Sequence, residues 1–183
     1  MQPAAIFLDR LSSSLSRIAL WGAVAALVVM IFAAGYQVVA RYIFDAPPVW
    51  TEELARRAMV WAGMLGASVA FRDRSDPNLF PELLNVMGAA GKALGLLRAA
   101  GAAIFAFPIL YYSLFGPNLD PARGFLARSL GRDAEMIELS MIWFTAAVPV
   151  AFALILVHAA AGLAMRLADL EKPGPSIQED ALL

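Results

Sequence analysis

Four charged residues fall within six consecutive positions: Glu52, Glu53, Arg56 and Arg57. Acid and base are four apart twice over, acid first, so on a helix each carboxylate reaches a guanidinium one turn away. Two chemistries suit such a group. Carboxylates at membrane depth often carry protons or cations. Arginines beside them, however, favour the ionised carboxylate, which is wrong for a proton carrier near neutral pH. The pattern therefore points to anchoring and assembly. His158 is the sole histidine, and there is no cysteine. That excludes a bis-histidine haem, a multi-histidine metal site, thiolate chemistry and disulfides. A lone histidine within an apolar helix relays protons only with an ionisable neighbour, and that helix offers none. Hydrogen-bonded packing is the expected role. Ser12, Ser13 and Ser14 have no general base in view and read as a polar N-terminal tail. No phosphate loop, HExxH or GxSxG occurs. Nothing suggests an enzyme, a metal or a cofactor.

These charges stand in a chain of 183 residues that is 61% hydrophobic and 16% charged, with mean hydropathy +0.69. Soluble domains carry roughly 25% charged residues. A net charge of −1 implies no attraction to nucleic acid. The apolar excess comes in blocks, so the expected fold class is an all-α integral membrane protein with four transmembrane helices. The first block, 18–40, is free of charge and too long for the core of a cleavable signal. The second runs from Thr51, a plausible N-cap with Glu52 and Glu53 favoured by the helix dipole. The third runs uncharged over 99–119, with Pro108 expected to kink it or break its ladder. The fourth runs over 139–165 with Pro149 inside. An interfacial helical segment is expected between helices two and three, over 78–98. The alternative there is one long helix to Gly116, with Gly88 and Gly91 as its break. A short helix is expected around 122–130. The whole reads as one transmembrane domain, 1–172, followed by a disordered acidic tail, 173–183. Gly91 and Gly95 match GxxxG, a weak signal in a chain so rich in Gly and Ala.

On a helical wheel, Glu52, Glu53, Arg56 and Arg57 share a sector with Gly63, Ala67 and Ala70. Leu54, Ala58, Trp61, Leu65 and Val69 lie opposite. Small residues allow close helix approach in lipid. The expectation is that the charged, small face meets protein and the Trp61 face turns to lipid. The alternative turns the bulky face into the chain's own bundle.

The run from Gln37 through Arg41 and Tyr42, the Asp/Pro linker, Trp50-Thr51-Glu52-Glu53, then Arg56, Trp61 and 66–70, resembles the DctQ-like small membrane subunit of TRAP transporters. Trp143 and Pro149 in helix four are also similar. One departure is the 74–79 turn, which lacks the histidine many members carry. The resemblance implies a non-catalytic subunit of a bacterial or archaeal inner membrane, with both termini cytoplasmic. It implies a larger membrane subunit holding the substrate and ion sites, and a periplasmic binding protein that delivers an organic acid, with an ion gradient as the energy source. Arg41, Trp50, Glu52, Glu53, Arg56, Arg57, Gly63 and Gly66 would then fix the bundle or the large-subunit interface. Trp50 could instead be a lipid anchor. The Lys/Arg count agrees on orientation, eight on the side of the termini against six. The competing readings are a self-assembling channel, or the small subunit of a tricarboxylate-type tripartite carrier.

Overall fold

A computed structural model describes residues 2–75 and 86–170. It is all-helical. Helix α1 spans Gln2–Ile43, α2 Trp50–Asp73, α3 Gly88–Leu114, α4 Phe125–Leu130, α5 Ile142–Thr145 and α6 Ala147–Leu167. Three runs are long and apolar enough to cross a membrane: α1, α3, and α5 with α6 taken together. Helix α2 has the length for a crossing, about 36 Å at 1.5 Å per residue. Its charges keep it out of that class, and it is held along its length between α1 and α6.

Small residues make the interior. Among the described residues the buried apolar side chains are Leu65 and ten alanines, among them Ala33, Ala106, Ala147 and Ala151. Large apolar groups point outward, with Phe32 73% and Ile104 76% exposed. A soluble bundle would invert this. Lipid removes the penalty for exposed apolar groups, and small residues let backbones approach. Helix α6 sits centrally, against α1, α2 and α3, and α3 packs along α6.

Helices α1 and α2 run antiparallel in a fixed register. Arg72 bonds Ser12, Leu65 fills the space over Gly22, and Trp50 stacks on Tyr36. Residues 2–17 are helical, not the expected polar tail. Ser12 and Ser16 are buried with Ala5 and Ala19, one small face against the bundle. Ser12 Oγ accepts from Arg72 Nη1 at 2.9 Å and lies 2.7 Å from His158 Nδ1. His158 is thus held in the bundle through Nδ1, the hydrogen-bonded packing expected of it, while its Nε2 is buried with no partner among the described residues. Ser12→Ala leaves Arg72 and His158 each short of a partner, a loss of about 1–3 kcal/mol. Thermal unfolding of the purified variant checks this, and an unchanged Tm would refute it.

Thr51 is not the N-cap. Helix α2 starts at Trp50, and the Thr51 hydroxyl donates back to Pro48 O at 2.7 Å, the local bond that short polar side chains favour. Helix α3 is one helix through Pro108 and starts at Gly88, whose φ of 74° is open to glycine. A single helix reaching back before Gly88 is thus excluded. Residues 78–85 of the expected interfacial segment, and the acidic tail, lie outside the described residues. Helix four is divided at Ala146. Pro149 falls in the first turn of α6, where its missing N–H is tolerated. The expected helix around 122–130 is a 3-10 turn, Pro121–Arg123, followed by α4.

Candidate functional site at the head of the second helix

The first turns of α2 divide their charges between two faces. Glu53 points inward and is only 2% exposed. Its Oε1 accepts from Arg57 Nη2 at 3.1 Å, and its Oε2 accepts from the Met136 backbone N–H at 2.8 Å. The Arg57 guanidinium lies over the Phe144 ring, 5.5 Å from its centre. One turn further, Trp61 Nε1 donates to Trp143 O at 2.7 Å. Below these, Thr145 Oγ1 donates to Ser129 Oγ at 2.9 Å. Glu53 thus fastens α2 to the loop ahead of α5, a loop closed by the Asp133–Ser140 bridge. Both Glu53 oxygens are engaged, so Glu53 forms a clamp rather than a vacant ion site.

Glu52 and Arg56 point outward and are exposed. The expected i,i+4 pairing closes for Glu53–Arg57 and not for Glu52–Arg56. Gly63, Ala67 and the lipophilic Met59 and Val60 continue this exposed face. A side chain added at Gly63 or Gly66 would meet nothing within 4 Å. Neither glycine serves packing within the chain. The opposite face, with Ala58 and Leu65 buried and Trp61 half-buried, enters the chain's own bundle. The expectation that the Trp61 face turns to lipid is therefore corrected: Trp61 meets α5 and Leu65 meets α1. Trp50 stacks on Tyr36 with centroids 6.1 Å apart. Arg41 is exposed in the last turn of α1, where the helix dipole favours a cation.

The α1–α2 register fixes the depth of these charges. Glu52 and Arg56 lie level with 30–34 of α1, roughly 10–17 Å short of Arg41 at 1.5 Å per residue. The charge-free run of α1 extends over 18–40. By that measure, the exposed Glu52 and Arg56 stand within the apolar span. A charge facing lipid there costs about 2.5–3.5 kcal/mol at mid-depth.

The far end of the bundle holds a second polar layer. Arg72 bridges to Asp9 at 3.3 Å and to Ser12. Arg98 donates to Phe71 O at 3.1 Å and lies over the Phe71 ring, and Lys92 pairs with Asp169 at 2.8 Å. Arg166 donates to Gly91 O and packs against Gly95. The GxxxG pair therefore seats an arginine of α6. No group of three or more His, Asp or Glu able to hold a metal occurs among the described residues. Reading along the sequence missed Met136, Phe144 and Trp143 as partners of the α2 charges. Their contribution is mostly backbone or ring face, which residue type does not reveal.

Comparison with known proteins agrees with this architecture. The family model described as "Tripartite ATP-independent periplasmic transporters, DctQ component" matches residues 30–169. A stretch of 52 residues is 42% identical to the sialic acid TRAP transporter permease protein SiaT of Haemophilus influenzae strain 86-028NP. That stretch is 25% of this chain and 8% of SiaT, so the chain spans a small part of that longer protein.

Proposed function

Because the chain belongs to the DctQ component of the tripartite ATP-independent periplasmic transporters, a non-catalytic small permease subunit, we propose that its work is to scaffold a larger membrane subunit through the outward face of α2. The single observation that carries this is the exposure of Glu52 and Arg56 at apolar depth, above a face where Gly63 and Gly66 have open space. Charges so placed call for a polar partner, and small residues admit a close helix. Arg41, Trp50, Glu52, Arg56, Gly63 and Gly66 border that face. Glu53 and Arg57 hold it in place from behind.

On this reading the large subunit carries the substrate and ion sites, and a periplasmic binding protein delivers an organic acid for gradient-driven uptake. SiaT is named for sialic acid, which fits that substrate class. A free-standing pore is disfavoured, because the outward charges of α2 stop at Arg56 and leave no polar stripe across the span. Mild-detergent purification of the tagged chain from its native membrane tests the proposal. A stoichiometric larger membrane protein is the expected companion. Recovery of this chain alone, as a ring or a monomer, would overturn it.

The charges at the two ends support one orientation. Among the described residues, the end with Ser12 and Arg72 holds seven Lys/Arg and three Asp, and the opposite end six Arg and seven Asp/Glu. Arg57 is moreover neutralised by Glu53 inside the bundle. The positive-inside rule then supports cytoplasmic termini in the inner membrane. The absence of native cysteine makes the check direct. A membrane-impermeant maleimide should label Glu138→Cys in intact spheroplasts and label Arg10→Cys only after permeabilisation. The reverse pattern would invert the topology.

A further inference from the structure

Helix α1 carries two arginines that its own bundle does not use. Arg10 and Arg17 are exposed, and neither takes part in an ion pair among the described residues. Asp9, the acid beside Arg10, is taken up by Arg72 of α2 at 3.3 Å. Seven positions are close to two full turns, so Arg10 and Arg17 share one face, about 10 Å apart along the axis. Ser14 between them is short and exposed, with its hydroxyl turned back to Arg10 O at 3.1 Å. The space between the two guanidiniums is therefore open to the outside.

Depth defines what these cations meet. The charge-free run of 18–40 is about 34 Å long at 1.5 Å per residue, enough by itself to fill a hydrocarbon core of about 30 Å. Arg17 thus falls at the edge of the core, and Arg10 about 10 Å further out. On the same face the strip turns apolar at that edge. Ile18 is 68% and Trp21 72% exposed, and Val24 and Val28 continue it. Trp21 lies one turn inside Arg17, the depth at which tryptophan gathers. Two unpaired cations at headgroup level, in line with an outward apolar strip, match an amphiphile of net negative charge. Basic groups beside membrane helices attract acidic headgroups for this reason.

We propose that the outward face of α1 holds the headgroup of an anionic phospholipid, with Arg17 and Arg10 as its cationic contacts and Ile18 and Trp21 beside the acyl chains. A zwitterionic headgroup is disfavoured, because its own cation competes for the phosphate and finds no free carboxylate on this face. The face is separate from the outward face of α2 and does not rest on that reading. It sets the depth of α1 in the membrane. The Arg72–Ser12 and Leu65–Gly22 contacts pass that depth on to α2 and its charges.

The full chain, purified in mild detergent, is titrated with dioleoylphosphatidylglycerol or dioleoylphosphatidylcholine, and native mass spectrometry counts the lipid retained. Phosphatidylglycerol should be retained over phosphatidylcholine. Arg17→Gln and Arg10→Gln should each weaken its retention about fivefold, and the double variant more than either. Arg132→Gln, which removes an exposed arginine at the opposite end, controls for net charge and should match the parent. Neither Arg10 nor Arg17 is paired within the described chain, so the Tm of both variants should hold and separate lost binding from lost folding. Equal retention by the double variant and the parent would overturn the proposal, as would an equal loss in Arg132→Gln or equal retention of phosphatidylcholine. Displacement of the lipid by an equal concentration of inorganic phosphate would assign the arginines to a free anion and overturn the lipid reading. Loss of a co-purified membrane protein in Arg17→Gln, with lipid retention unchanged, would assign the face to a protein and overturn it as well.

Discussion

Glu53→Ala is expected to destabilise the isolated chain by about 3 kcal/mol, the scale for breaking a buried ion pair by removing one partner. The loss has two parts. Arg57 keeps its charge and its place over Phe144 but loses its counterion. The Met136 N–H loses its acceptor, which frees the loop ahead of α5. Glu53→Gln retains an acceptor for Met136 and should fall between the parent and the alanine variant. Glu52→Ala, on the exposed face, should leave the Tm of the isolated chain nearly unchanged and act only on assembly. Thermal unfolding of the three variants in one detergent separates these cases. If Glu53→Ala and Glu52→Ala unfold alike, the clamp described for Glu53 is wrong.

Gly63→Leu should do the opposite. A side chain at Gly63 meets nothing within 4 Å in this chain, so expression and Tm should hold. Against a partner helix at close approach, the added bulk should weaken co-purification of the large subunit and uptake at least roughly fivefold, since overpacking costs about 1–3 kcal/mol. Gly101→Leu is the control: Gly101 also faces open space, but on α3, away from the proposed interface. The two variants share their chemistry and differ in the face they alter. If Gly63→Leu assembles and transports like Gly101→Leu, the α2 face is not the docking surface.

The two variants also divide what could be read along the chain from what could not. The pairing of Glu53 with Arg57 follows from a spacing of four residues, which any helix satisfies. The identical spacing of Glu52 and Arg56 gives no ion pair. One position of rotation, about 100°, turns Glu53 toward α5 and Glu52 away from the bundle. Helical periodicity grouped all four charges in one sector, but only the packing of α1 and α6 against α2 could divide that sector. The same packing took the Trp61 face inward. The serines of 12–14 read as a polar tail for a similar reason. Their partners, Arg72 and His158, are separated from Ser12 by 60 and 146 positions.

The sequence by itself determined the class, the number of long helices and the family resemblance, because these depend on local quantities: the length of apolar runs, the placement of prolines and glycines, and the Trp50–Arg57 motif. Tertiary structure alone decided which of two neighbouring carboxylates is a clamp and which is left facing outward. It also decided that residues 2–17 are helical, and that Lys92 and Arg166, 74 positions apart, line one cavity. In a bundle whose core is alanine and serine, composition carries little information about facing. The large apolar side chains that would mark a soluble core here point to lipid, and only the helix contacts show which small residues meet.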